Sequence, residues 1–342
     1  MKITTVGIDL AKNLFQVHGV DERGKTVLKK QLKRDQMMAF FTNLPACLIG
    51  MEACGSAHYW ANKLRRLGHT VKLMAPQFVK PYVKTNKNDV ADAEAICEAV
   101  SRPNMRFVPI KNSEQQAVLA LHRARQGFVK ARTAQANQIR GLLAEHGIII
   151  PKGIAYIGKH LPEILEDGEN GLPGSFRILI KRLGDHLKEL DRHTQELEVQ
   201  IQNWHRDSTA SRKLAKIPGI GPITASALVA SVGDAKNFEN GRQLAAWLGL
   251  VPRQNSSGGK QTLLGISKRG DSYLRTLLIH GARAVLRVAE RQAHQANSWL
   301  AGVMERRNYN VAAVALANKN ARIVWALLAH DREFEADYGA EV

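Results

Sequence analysis

The sequence predicts an α/β domain with a mixed sheet over residues 1–110, a helical, coiled-coil arm over 111–206 and a mainly α-helical domain over 207–342. Three observations predict it. Short β-rich runs alternate with helical stretches in the first part. A heptad pattern marks the middle. The last part opens on a glycine-proline turn that leads into helical stretches.

The elements follow in order. Lys2–Asp9 is β-rich and ends in an acid, and Phe15–Val20 and Thr26–Gln31 flank a turn at Asp21–Gly24, which makes a meander. Gln36–Asn43 reads as a short helix, Ala46–Glu52 as a buried strand that again ends in an acid, Ser56–Leu67 as an amphipathic helix and His69–Met74 as a strand. Hairpin-linked strands followed by alternating helix and strand imply a mixed sheet. Asp89–Val100 is a helix carrying Asp89, Asp92 and Glu94. Ser113–His146 is helical with Arg123, Arg125, Lys130, Arg132 and Arg140 at positions expected to be exposed. Residues 147–174, rich in glycine and proline, read as a loop-rich connector. In Phe176–Trp204, Leu183, Leu187, Leu190, Thr194, Leu197, Ile201 and Trp204 fall on a coiled-coil seam. That spacing fits an intramolecular hairpin with the preceding helix and a dimerisation arm equally well.

Charge narrows the partners. Lys and Arg number 49 against 31 acids, a net charge of +18, so polyanions and first of all nucleic acid are the expected partners. No apolar run reaches the roughly 18 residues of a membrane span, so no membrane partner is expected. The opening MKITTVGIDLAK lacks the hydrophobic core of a secretory signal. Cys47, Cys54 and Cys97 form no C-x-x-C pair and read as buried thiols of a reducing cytoplasm, the expected location.

Four acids stand where chemistry is expected. Asp9 ends the first strand in Gly7-Ile8-Asp9, Glu52 ends a later one in Gly50-Met51-Glu52, and Asp89 and Asp92 share one helix face at a spacing of three. Singly, each is most simply a turn or surface residue. Together, in one α/β domain of a basic chain, they form the oxygen ligand set that hard cations such as Mg²⁺ require. Such cations assist phosphodiester chemistry by stabilising attacking and leaving oxygens.

The last part carries two further signals. Ile217-Pro218-Gly219-Ile220-Gly221-Pro222 before a helix is a helix-hairpin-helix turn, whose Gly219 and Gly221 let backbone amides approach a phosphate without reading bases. Ser256 and Ser257 lie in a glycine-rich loop, with Lys260, Lys268, Arg269 and Arg275 nearby to neutralise phosphates. Chemistry alone reads that loop as flexible. His58, His122, His280 and His294 occur singly on helical stretches and read as surface or packed residues rather than ligands.

The GID motif, the strand ending in GxE, the D-x-x-D helix and the string Lys84-Thr85-Asn86-Lys87-Asn88-Asp89 resemble the RuvC-like (RNase H fold) domain of DEDD-type insertion-sequence transposases, and the likeness spans nearly the whole chain. That family is related to the pilin-gene inverting site-specific recombinases. The resemblance implies a magnesium tetrad of Asp9, Glu52, Asp89 and Asp92. It also implies a nucleophilic serine in the C-terminal loop that joins covalently to DNA; matching the Ser-Gly step favours Ser257, with Ser256 one position away. It further implies DNA partners at element ends and target and a guide (bridge) RNA encoded by the element. Two ends and two strands must be handled, so a homo-oligomer, dimer or tetramer, is expected. Two rivals remain at this level: a structure-specific nuclease that uses water with the same tetrad, and a non-enzymatic architectural DNA binder.

Overall fold

The computed structural model describes residues 2–84, 88–291 and 298–335. Of the string read above, residues 85–87 lie outside the described residues, as does His294. The chain divides into two compact units, one up to Ser113 and one from Glu114 onward.

The first unit is mixed α/β. Its strands are β1 (Thr5–Leu10), β2 (Leu14–Val20), β3 (Thr26–Lys33), β4 (Leu48–Glu52), β5 (Thr70–Met74) and β6 (Phe107–Val108); its helices are α1 (Gln36–Thr42), α2 (Ala57–Arg66), α3 (Pro76–Val79) and α4 (Asp89–Val100). Among the described residues the six strands form one sheet in the order β3-β2-β1-β4-β5-β6. The meander β1-β2-β3 is antiparallel, β1, β4 and β5 are parallel, and β6 closes the edge antiparallel to β5. β6 is two residues long, too short to show as a pattern in sequence.

Alternation along the strands sorts the two faces. Val6, Ile8, Phe15, Val17, Ile49 and Met51 point to one side, where they bury Met37 and Phe41 of α1 and Trp60, Ala61 and Leu64 of α2. Gly7 and Gly50, paired across β1 and β4, point to the other side, against α4. Cys47 and Cys97 are buried, and burial pushes both thiols up to about 11. Cys54 departs from the expectation of a buried thiol and is exposed.

The second unit is mostly helical. It comprises α5 (Ser113–Ala144), α6 (Ile154–Glu166), α7 (Gly174–Asp207), α8 (Thr209–Leu214), α9 (Pro222–Val232), α10 (Gly241–Trp247), a ribbon of β7 (Pro252–Gln254) and β8 (Leu263–Ile266), then α11 (Ser272–Arg291), α12 (Ser298–Arg306) and α13 (Tyr309–His330). The expected connector at 147–174 contains a helix instead. Gly158 and Pro162 argue against α6, but its apolar stripe of Ile154, Ile157, Leu161 and Ile164 packs against Ile139 and Leu143 of α5 and Ile180 and Leu187 of α7. Burial of that stripe outweighs one lost backbone hydrogen bond.

The seam of α7 is buried in part within the chain, with Leu183, Leu197 and Trp204 half-buried. Leu187, Leu190, Thr194 and Ile201 are buried. Arg125 Nε donates to Glu198 at 2.8 Å, Arg132 Nη1 to Asp191 at 2.7 Å and Trp204 Nε1 to Glu114 at 2.9 Å. Arg125 and Arg132, expected to be exposed cations, are therefore half-buried ion-pair partners of α7, and Arg140 donates to the carbonyls of Pro151 and Gly153. Arg123 and Lys130 do face solvent.

The α13 helix also departs from its sequence reading. It is 22 residues long with a mean hydropathy of 1.3 over its most apolar window, long and apolar enough to cross a membrane, although charged and amide residues interrupt its apolar runs. In this structure 44% of that window is buried within the protein. Its polar groups are met there: Asn318 donates to Leu250 O, Asn320 to Pro218 O and Trp325 Nε1 to Phe238 O, and Lys319 lies 4.2 Å from the centre of the Trp299 ring.

Candidate active site

Two glycines and one cap build the acidic site. Gly7 and Asp9 lie on the same face of β1, and Gly50 and Glu52 on the same face of β4, because side chains two apart share a face. A Cβ at Gly7 would run into the backbone of Ala93 and Cys97 in α4, and one at Gly50 would lie 2.7 Å from Val100 Cβ. Only glycine lets α4 lie this close on the sheet. Cys97 Sγ donates to Thr5 O, so α4 runs antiparallel to β1 and its first turn arrives at the end of β1 that carries Asp9. Asn88 caps α4 by accepting from Ala91 N at 2.8 Å, which starts the helix at Asp89 and places Asp89 and Asp92 in its first turn. The positive end of the helix dipole favours carboxylates there.

The outcome is a cluster. Carboxylate oxygens of Asp9, Asp89 and Asp92 all lie within 4.8 Å of one another. Oxygen ligands of a hard cation sit about 2.0–2.6 Å from the metal, so opposite ligands are about 4–5 Å apart. The donor set and its span therefore fit a hard divalent cation. Glu52 sits at the end of β4, one step past the Ile8–Met51 pair and so beside Asp9. Both acids act on Cys54: its thiol pKa is raised first by local desolvation, then by the charges of Glu52 and Asp9. The structure thus gathers three of the four expected acids tightly and leaves Glu52 at their margin. Lys84 reaches α4 elsewhere, pairing with Glu98 at 3.0 Å and Glu94 at 3.7 Å.

The two serines occupy a hairpin tip rather than a shapeless loop. Ser257 and Lys260 bridge across Gly258 (φ +54°) and Gly259 (φ +77°), the two left-handed residues of a tight hairpin turn. Ser256 Oγ accepts from Thr262 N at 3.4 Å, and both serines are exposed. The base of the ribbon is locked: a Cβ at Gly249 would strike the backbone of Arg269, one at Gly270 would strike Trp247 O, and Lys268 N donates to Gly249 O. Asp271 then caps α11 through Tyr273 N at 2.7 Å and Leu274 N at 3.1 Å. Lys260, Lys268 and Arg269 are exposed, whereas Arg275 is half-buried and donates to Leu248 O at 3.1 Å.

The glycines of the IPGIGP turn separate in role. Gly219 has φ +86° and a Cβ there would meet the backbone of Gly281 in α11 at 2.8 Å, so this glycine serves packing. Gly221 has open space around it at the start of α9. His122 is buried, with its ring nitrogens at 3.1 Å from Ser226 Oγ and 3.0 Å from Tyr273 OH; burial and then Arg125 lower its pKa to about 4. His58 Nδ1 accepts from Lys111 N, and His280 is exposed.

Comparison with known proteins decides the family. A transposase family model matches residues 6–148, and the model of the transposase IS116/IS110/IS902 family matches residues 211–297. A probable family 20 transposase of Pseudomonas aeruginosa is 55% identical over 97% of this chain and 98% of its own. The chain belongs to the IS110/IS116 family of insertion-sequence transposases. The transposase for insertion sequence element IS1328 of Yersinia enterocolitica is 46% identical over 95% of this chain and 96% of its own. A pilin gene-inverting protein of Moraxella bovis is 26% identical over 81% of each chain. The protein is thus a DNA-acting transposase and recombinase enzyme, and the first family model spans all four acids while the second spans both serines. In this transposase Gly7 and Gly50, which the sequence shows only as neighbours of the acids, place those acids, and Gly249 and Gly270 anchor the serine ribbon. The signal was present as a glycine two residues before each strand-end acid.

Proposed function

We propose that this transposase cleaves and rejoins DNA strands by joining an acidic Mg²⁺ site at Asp9, Glu52, Asp89 and Asp92 to a nucleophilic serine of the β7–β8 hairpin. The observation that carries the proposal is the meeting of Asp9, Asp89 and Asp92 within 4.8 Å, from two distant stretches of sequence. The first unit is then an RNase H-like domain (1–110), with a helical arm (111–206) and a helix-hairpin-helix and serine domain (207–342). The sheet order and the acids at the ends of its two central strands support that assignment.

Asp9, Glu52, Asp89 and Asp92 would hold a divalent cation, which would supply charge to polarise the scissile phosphate and stabilise the departing oxygen. Asp9 and Glu52 present ligands from the sheet, Asp89 and Asp92 from the helix. Ser257 Oγ attacks phosphorus and gives up its proton, the P–O bond to the leaving strand breaks, the departing strand oxygen takes up a proton to end as a hydroxyl, and the phosphoserine bond keeps its energy for rejoining without ATP. Ser257 is favoured because it heads the exposed two-glycine turn, whereas the Ser256 hydroxyl is engaged by Thr262 N. Exposed Lys260, Lys268 and Arg269 neutralise backbone phosphates around the hairpin. The net charge of +18 suits DNA ends, a DNA target and an element-encoded guide RNA alike, and an oligomer is the proposed means of handling two ends at once.

The test is a denaturing gel of the protein incubated with duplexes bearing its element ends and magnesium. The proposal expects a covalent protein–DNA adduct that Ser257→Ala abolishes and Ser256→Ala retains. Full cleavage with no adduct in the Ser256→Ala/Ser257→Ala double variant would instead assign a water nucleophile.

A further inference from the structure

The helix-hairpin-helix turn already has carboxylates on its lysines. Lys213, in the last turn of α8, has its Nζ 2.6 Å from Asp331 Oδ1 and 3.6 Å from Glu333 Oε1. Lys216, immediately before the IPGIGP turn, has its Nζ 2.6 Å from Glu333 Oε2. Those acids follow α13. Asp331 turns the chain in the left-handed region (φ +52°), Arg332 N donates to Leu327 O, and Phe334 packs against the core of this unit. Asn320 of α13 also holds the Pro218 carbonyl of the turn.

The composition of the segment is at odds with the rest of the chain. Residues 331–342 carry Asp331, Glu333, Glu335, Asp337 and Glu341 against the single Arg332, in a protein of net charge +18. Anchoring does not require this, because Phe334 supplies an apolar anchor. The Lys213 side chain is 18% exposed, whereas those of Asp331, Lys216 and Glu333 are 92%, 57% and 50% exposed, and pairs this open on the acid side add little to stability. The two carboxylates thus sit on two lysines beside the IPGIGP turn, with the sign of charge that backbone phosphates carry.

We propose that Lys213 and Lys216 form a binding site for DNA backbone phosphates, and that Asp331 and Glu333 occupy it as an internal phosphate mimic until DNA displaces them. The inference rests on reading the turn as an element that grips DNA. It adds two cations that the sequence motif did not single out, and a restraint on DNA binding carried by the same chain.

The test is the salt dependence of full-chain binding to a non-specific duplex, between about 50 and about 200 mM salt. Four proteins are compared: wild type, Asp331→Asn/Glu333→Gln, Lys213→Gln/Lys216→Gln, and the quadruple variant. The acid variant is expected to bind about fivefold tighter than wild type. The lysine variant is expected to lower the slope of log K on log salt by about two, close to one per lost phosphate contact. In the lysine-free background the acid changes should add nothing. Unchanged affinity of the acid variant with a lowered Tm would make the pairs merely structural. A gain that persists without the lysines would reduce the effect to net charge. A wild-type slope in the lysine variant would remove the phosphate site. The underlying reading is tested separately by Gly221→Glu, which sets a carboxylate in open space at the start of α9. Weakened binding there with a wild-type slope in the lysine variant would overturn this inference and leave the hairpin reading standing. Unchanged binding in both variants would overturn both.

Discussion

Replacing Gly7 by Ala tests how the acidic site is built. The new methyl would lie 2.8 Å from Cys97 Cα and nearer still to Ala93 O and Cys97 N. All three are backbone atoms of α4, so no rotamer change relieves the clash. The helix must move off the sheet by about 1 Å, and overpacking of this kind costs about 1–3 kcal/mol. For a unit of this size that corresponds to a fall in Tm of about 5–15 °C. The same movement carries Asp89 and Asp92 away from Asp9, and a displacement of about 1 Å at a catalytic centre costs on the order of 100-fold in rate. Thermal unfolding followed by circular dichroism, together with a strand-cleavage assay at a temperature where the variant is folded, measures both effects. Gly50→Ala provides a graded comparison, because the obstacle there is the Val100 side chain rather than backbone. A Gly7→Ala protein with wild-type Tm and wild-type cleavage would refute the claim that glycine-mediated docking of α4 assembles the site.

The remaining predictions concern the second unit. Gly219→Ala should destabilise it by about 1–3 kcal/mol, since the residue has a positive φ and abuts Gly281, whereas Gly221→Ala, in open space at the N-cap of α9, should cost less; denaturant titration compares them. His122 is held neutral, with a pKa near 4 against an ordinary 6.5. The unfolded chain binds that proton more readily, so the contribution of His122 is complete above about pH 6.5 and is lost as pH falls towards 4, an effect of about 3 kcal/mol by linkage. Stability measured against pH should show this slope in wild type, and His122→Gln should remove it from that window.

Much of the first unit is legible in the sequence because its signals are local. Strand runs that end in Asp9 and Glu52, a meander with a turn at Asp21–Gly24 and a helix over Asp89–Val100 each depend on neighbours within a few residues. The features that were missed depend on distant partners. No window of sequence shows that Gly7 and Gly50 face one helix, or that Arg125 and Arg132 meet Glu198 and Asp191. The α6 helix was hidden because Gly158 and Pro162 are breakers by local propensity, and only packing against α5 and α7 overrules them. The serine ribbon reads as a loop because β7 and β8 have three and four residues and owe their register to the tight turn at Gly258–Gly259 and to Gly249 and Gly270 at the base. The apolarity of α13 is visible in sequence, but the partners of Asn318, Asn320 and Trp325 are not.

The most direct test of the central claim is binding of Mn²⁺ to the DNA-free protein, followed by electron paramagnetic resonance and calorimetry. Saturable binding is expected in wild type, lost in Asp9→Asn and in Asp89→Asn while circular dichroism shows both variants folded. Equal Mn²⁺ binding by wild type and Asp9→Asn would contradict it.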